Sequence, residues 1–147
     1  KYELEDRALS SLENMLLARD ILRHKYSRVK AGTIIFEQTR AKRIHATEKK
    51  IFTKFEVLTF LPVEFDISIA RYDLELLDKK EAYAMKMDLW SLESPKNLKV
   101  HHEIFESKLK TLRQAGPEHH QEALRLWWQA SLERIQKLGL ASKKTSS

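Results

Sequence analysis

The chain has 147 residues, 33% of them charged and 42% apolar, with a formal net charge of +6. That is length enough for a real core, and the mixture excludes both a disordered polyelectrolyte and a membrane-embedded chain. No cysteine is present, which excludes disulfide frameworks and thiolate chemistry and fits a reducing, cytoplasmic setting.

Only 3 glycines and 3 prolines punctuate the chain. Few breakers mean few turns and therefore long elements. Long elements argue helices, because strands average about 5–6 residues and each needs a turn after it. The expected fold class is all-α. No apolar run approaches the roughly 20 residues of a spanning helix, and no signal peptide is visible. The first residue is Lys1 rather than Met, so the expectation is a piece of a longer protein or assembly.

The first predicted element covers residues 4–58, which contain no proline. Leu9, Leu12, Leu16, Ile21 and Leu22 recur at helical spacing. Met15, Leu22, Val29 and Phe36 form a seven-residue series. After a slip of phase, Ile44, Ile51 and Leu58 form another. This predicts one helix of about 80 Å at 1.5 Å per residue, with Gly32 as its candidate break. Its middle is basic: residues 19–54 hold 11 Lys/Arg against 3 Asp/Glu.

Leu61-Pro62 predicts a boundary, since the residue before proline is driven out of the helical region and proline suits a first helical turn. The second helix is expected over 62–93. Ile69, Leu76, Tyr83 and Trp90 lie seven apart on it, with Phe65 and Tyr72 between and Leu77, Met87 and Leu92 widening the stripe. Residues 61–93 carry 8 acidic and 4 basic side chains. A basic helix, a proline turn and an acidic helix predict an antiparallel hairpin with coiled-coil character, its charges setting orientation and its apolar seams supplying stability.

Two shorter helices are expected to follow. Ser94-Pro95 reads as a cap and first turn of a helix over 95–115. Gly116-Pro117 ends that helix and opens another over 117–138. Residues 1–140 are expected to form a single helical domain and 141–147 a disordered polar tail.

Catalytic signals are missing from this pattern. His101-His102-Glu103 and the run Glu118-His119-His120-Gln121-Glu122 lack the paired spacing of helical metal sites and read as solvated segments. There is no Gly-x-Ser-x-Gly and no glycine-rich phosphate loop. The expectation is a protein with no enzymatic activity, no metal and no cofactor.

Two sets of candidate contacts remain. Arg40, Lys42, Arg43, Lys49 and Lys50 could meet an acidic partner. Trp90, Trp127 and Trp128 could anchor a protein interface, because Trp is enriched in hot spots; Trp127 and Trp128 diverge by about 100° on a helix. The expected function is a non-catalytic helical scaffold or adaptor segment that binds another protein, self-association included. The alternative is a basic module on an anionic membrane or a cytoskeletal filament. Nucleic-acid binding ranks third, for want of a reading helix or stacking motif. Cytoplasmic localisation is expected, with cytoskeletal and nuclear placement left open.

Overall fold

The computed structural model describes residues 4–54, 57–64 and 74–137. They fall into two compact units, Lys1–Asp88 and Leu89–Ser147.

The chain enters through a local cap. Ser10 Oγ accepts from the Glu13 backbone N–H at 3.1 Å, and Glu13 Oε2 accepts from the Leu9 N–H at 2.7 Å. This reciprocal arrangement satisfies donors at a helix start. Helix α1 then runs Ser11–Lys25, burying Leu12, Met15 and Leu16. Arg23, His24 and Lys25 occupy its last turn, where the helix dipole favours cations.

The long first helix does not continue. Strand β1 spans Ala31–Glu37 and strand β2 spans Val57–Val63. They pair in parallel, in register from Ala31↔Val57 to Glu37↔Val63. Between them lie a 3-10 turn at Gln38–Arg40 and helix α2 at Ala41–Ile51. The result is a β-α-β unit, so the fold is α/β rather than all-α, and neither an antiparallel helical hairpin nor a coiled coil is supported. Gly32, the expected helix break, lies within β1. The reason is local composition: Thr33-Ile34-Ile35-Phe36 and Val57-Leu58-Thr59-Phe60 are β-branched and aromatic runs that suit a pleated surface. The seven-residue apolar series crossed these strands only by coincidence of period. Pro62, expected to open a helix, sits near the end of β2. In a two-stranded sheet every strand is an edge, where a missing N–H is tolerated.

One face of the sheet meets α2 through His45. The His45 ring lies 4.5 Å from Phe60 and 6.1 Å from Phe36, centroid to centroid. The other face carries Thr33, Ile35, Thr59, Leu61 and Val63, all exposed.

Helix α3 runs Leu74–Ser91. The expected start of this helix at 62 is overturned by β2, and residues 65–73, with the expected seam positions Phe65, Ile69 and Tyr72, lie outside the described residues. The buried stripe on α3 is Leu77, Glu81, Ala84, Asp88 and Ser91, with Met87 beside it. It includes the expected Leu77 and Met87, and runs one residue past the expected Tyr83 and Trp90, which are half-buried.

In the second unit, helix α4 runs Pro95–Ala115 and helix α5 runs His120–Lys137, joined by a 3-10 turn at Pro117–His119. Ser94 Oγ caps α4 by accepting from the Asn97 N–H at 3.1 Å. Gly116 ends it at φ +75, and a Cβ there would meet Glu118 Oε1 at 2.9 Å, so only glycine fits without strain. The core of this unit stacks His101 on Phe105 at 4.8 Å and sets Trp127 6.0 Å beyond Phe105. The expected tail at 141–147 lies outside the described residues.

Candidate functional site

Helix α2 divides the basic residues of the first unit into two groups. Arg43, Ile44, Thr47, Glu48 and Ile51 are buried, while Lys42, His45, Lys49 and Lys50 are exposed. The periodicity is that of a helix with one covered side. Thr47 Oγ1 donates back to the Arg43 carbonyl at 2.9 Å, so this fully buried hydroxyl needs no outside partner.

Arg43 enters an ionic cluster. Its Nε lies 2.8 Å from Glu81 Oε2, and its Nη1 lies 3.4 Å from Asp88 Oδ2. Nη2 donates to Ser11 Oγ at 3.4 Å. The Nε–Glu81 contact is close, but its alignment falls outside hydrogen-bond geometry, so it acts as an ion contact. Glu81 and Asp88 are two turns apart on α3 and so face the same way. Arg40 extends the network: Nη1 donates to Ser11 Oγ at 3.0 Å, and Nη2 lies 3.1 Å from Glu37 Oε2. Thr39 Oγ1 donates to Glu37 Oε1 at 2.8 Å.

One guanidinium therefore serves two buried carboxylates. Burial pushes the Asp88 carboxyl up from 3.8 to about 7, with Arg43 opposing and Glu81 adding to the rise. Burial also lowers the Lys80 ammonium below its ordinary value, against the pull of Glu81 at 3.8 Å. A folded pKa above the unfolded one means that the fold prefers protonated Asp88. Its contribution to stability is complete below about pH 4 and is lost as pH rises through 7. Wild type should accordingly lose stability between about pH 4 and pH 7, by an amount on the order of a few kcal/mol, whereas Asp88→Asn should flatten that slope. Thermal melts of both chains across this range are the check; parallel curves would exclude Asp88 as the titrating group.

This cluster is closed to substrates. Arg43, Glu81 and Asp88 are each under a tenth exposed. A surface groove of about 290 Å³ lies elsewhere, where the N-terminal segment around Glu5 and Arg7 meets Leu17 and Ile21 of α1. Among the described residues no group of three His, Asp or Glu side chains is placed to hold a metal. The second unit contains a serine–histidine contact, Ser91 Oγ to His101 Nδ1 at 3.0 Å, with both residues essentially inaccessible. It links the end of α3 to α4 from inside the core. The sequence suggested a solvated His101; the ring is instead fully buried.

The candidate contacts thus separate. Arg40 is half-buried and paired, and Arg43 is withdrawn into the cluster. Lys42, Lys49 and Lys50 share the exposed side of α2, without an ion pair among the described residues. Trp127 is buried, and its Nε1 donates to Ser107 Oγ at 3.2 Å. Trp128 is half-buried, edge-on to Trp127 at 5.0 Å. Trp90 is also half-buried, and its carbonyl accepts from Asn97 Nδ2 at 2.9 Å. Sequence reasoning missed Ser11, Glu81 and Asp88. The available signal was the seven-residue spacing of Glu81 and Asp88 within an otherwise apolar stripe.

No protein-family model matches the chain, and neither a curated protein nor a solved structure matches it.

Proposed function

We propose that the first unit is a non-catalytic binding module that docks an acidic protein surface on the exposed side of α2. The observation that supports this reading is the contrast between neighbours. Arg40 and Arg43 are consumed by internal carboxylates, whereas Lys42, Lys49 and Lys50 have no ion pair among the described residues. Lys54 follows in the next turn and is likewise exposed. From Lys42 to Lys50 the helix advances about 12 Å, the scale of a single acidic patch on a protein. The buried Arg43 cluster serves this face by anchoring the opposite side of α2. A cytoplasmic site of action accords with the absence of cysteine.

Membrane and nucleic-acid readings have less support. No helix among the described residues is long and apolar enough to cross a membrane. The exposed side of α2 presents Lys and His without an apolar residue to insert. Four lysines are also at the lower limit of the basic clusters that hold anionic lipid, about 4–8 residues.

Replacing Lys42, Lys49 and Lys50 by Glu should weaken capture of an acidic protein by roughly 10- to 100-fold at low salt, with the helical content of the chain unchanged. Affinity capture on the immobilised full chain, with mass spectrometry at two ionic strengths, makes the comparison. Vesicles containing phosphatidylserine and duplex DNA serve as parallel arms. Lysine-dependent binding of either, with no acidic protein captured, would replace this reading.

A further inference from the structure

We propose that the uncovered face of the β1–β2 sheet is a self-association surface on which two copies of this chain pack face to face, strands antiparallel. Parallel sheets are normally buried on both faces. Here one face meets α2 through His45, while the other presents Ile35, Leu61 and Val63 at 66%, 50% and 47% exposure. Thr33 and Thr59 lie on the same face, and Ala31 and Glu37 complete its β1 side. A contiguous apolar strip of this kind marks an interaction site more often than an idle surface.

The charges at the strand ends select the occupant and its direction. Both strands begin at one end of the sheet, and the exposed Arg28 and Lys54 precede them. At the other end, Glu37 of β1 is neutralised by Arg40, and β2 is followed by the exposed Glu64. Arg28, Lys54 and Glu64 have no ion pair among the described residues. The strip is therefore positive where the strands start and, at Glu64, negative where β2 finishes. A two-fold axis lying in the sheet plane, across the strands, inverts this polarity. It places the basic end of one copy over the acidic end of the other, whereas an axis along the strands would oppose like charges. Closed two-fold contacts are self-complementary in this way.

Side-chain size agrees with the same axis. Centred at the level of Ile34 and Phe60, it sets Ile35 over a second copy's Thr33 and Leu61 over a second copy's Thr59. Large residues then meet small ones, which lets two faces interdigitate. The lysines of α2 lie on the side of the sheet layer that this contact does not use.

Sedimentation velocity of the full chain, from micromolar to hundreds of micromolar, tests the proposal. The wild type should form a dimer. Leu61→Asp should raise its dissociation constant at least about tenfold. Lys54→Glu and Glu64→Lys should each weaken the dimer severalfold. Mixing those two single variants should restore it, because each then presents the charge that the other needs. Should Leu61→Asp disturb folding, as seen by circular dichroism, the mixing experiment still decides. Reversal of Lys42, Lys49 and Lys50 should leave dimerisation unchanged. A chain that stays monomeric throughout overturns the proposal. So does a dimer indifferent to Leu61→Asp in a folded chain, or a mixture no tighter than its components.

Discussion

Replacing Arg43 with methionine should destabilise the first unit by about 3–5 kcal/mol, the range for removing one partner from a buried ion pair. Methionine keeps most of the volume, so the loss is electrostatic rather than a cavity effect. Glu81 and Asp88 would be left as two carboxylates beside each other, each with little water to solvate it. Ser11 would lose one of its two guanidinium donors and keep Arg40. Hydrogen exchange should report the effect as lost protection in α2 and β1, and urea unfolding followed by circular dichroism as a lowered midpoint.

The same variant makes a sharper prediction in acid. Arg43 holds the Asp88 carboxyl down against burial and Glu81. Without the arginine, that carboxyl rises further, and protonation removes the charge that destabilises the variant. The gap between Arg43→Met and wild type should therefore narrow as pH falls from about 8 to about 5. A gap independent of pH would assign the loss to packing. Exchanging all three residues together, as Arg43→Met with Glu81→Leu and Asp88→Leu, should recover most of the stability, because a well-packed apolar set often equals or exceeds a buried ionic one.

Replacing Trp127 with alanine should cost about 3–5 kcal/mol, as deletion of a buried aromatic side chain does. Its ring is 5% exposed, packs 6.0 Å from Phe105, and lies 5.6 Å from the Lys108 ammonium. Its Nε1 also satisfies Ser107. Trp128→Ala, at a half-buried position, should cost about 1 kcal/mol. Thermal melts of the two variants separate core from surface directly. Equal losses would mean that the neighbouring rings share one buried site. Trp128 and Trp90 then remain as the tryptophans with surface to offer a partner.

Part of this architecture is legible in the residues alone. The ends of α4 are written locally, as Ser94-Pro95 at one end and Gly116-Pro117 at the other, since a cap or a left-handed turn depends on a few adjacent atoms. The basic character of residues 19–54 and the acidic character of 61–93 follow from composition. The strands were missed for a reason specific to them. Ile51 and Leu58 continue a seven-residue series, and with no glycine or proline between them nothing in the pattern separates a helix end from a strand start. The β-branched run at Thr33–Ile35 was the competing signal, and it prevailed because a pairing partner exists 26 residues away, in the register Thr33↔Thr59.

What the sequence determined by itself is therefore short-range: capped helix ends, an absence of cysteine chemistry, and a surplus of positive charge whose local density is highest before residue 55. Only the tertiary structure decided which of those charges are available. Lys42 and Arg43 are adjacent in the chain, yet one is exposed and the other meets Glu81 and Asp88 inside the fold. The same holds for Asp88, which a helical reading would have left in water. A charge is buried only where a partner from a distant segment compensates its lost hydration, and that partner is set by packing.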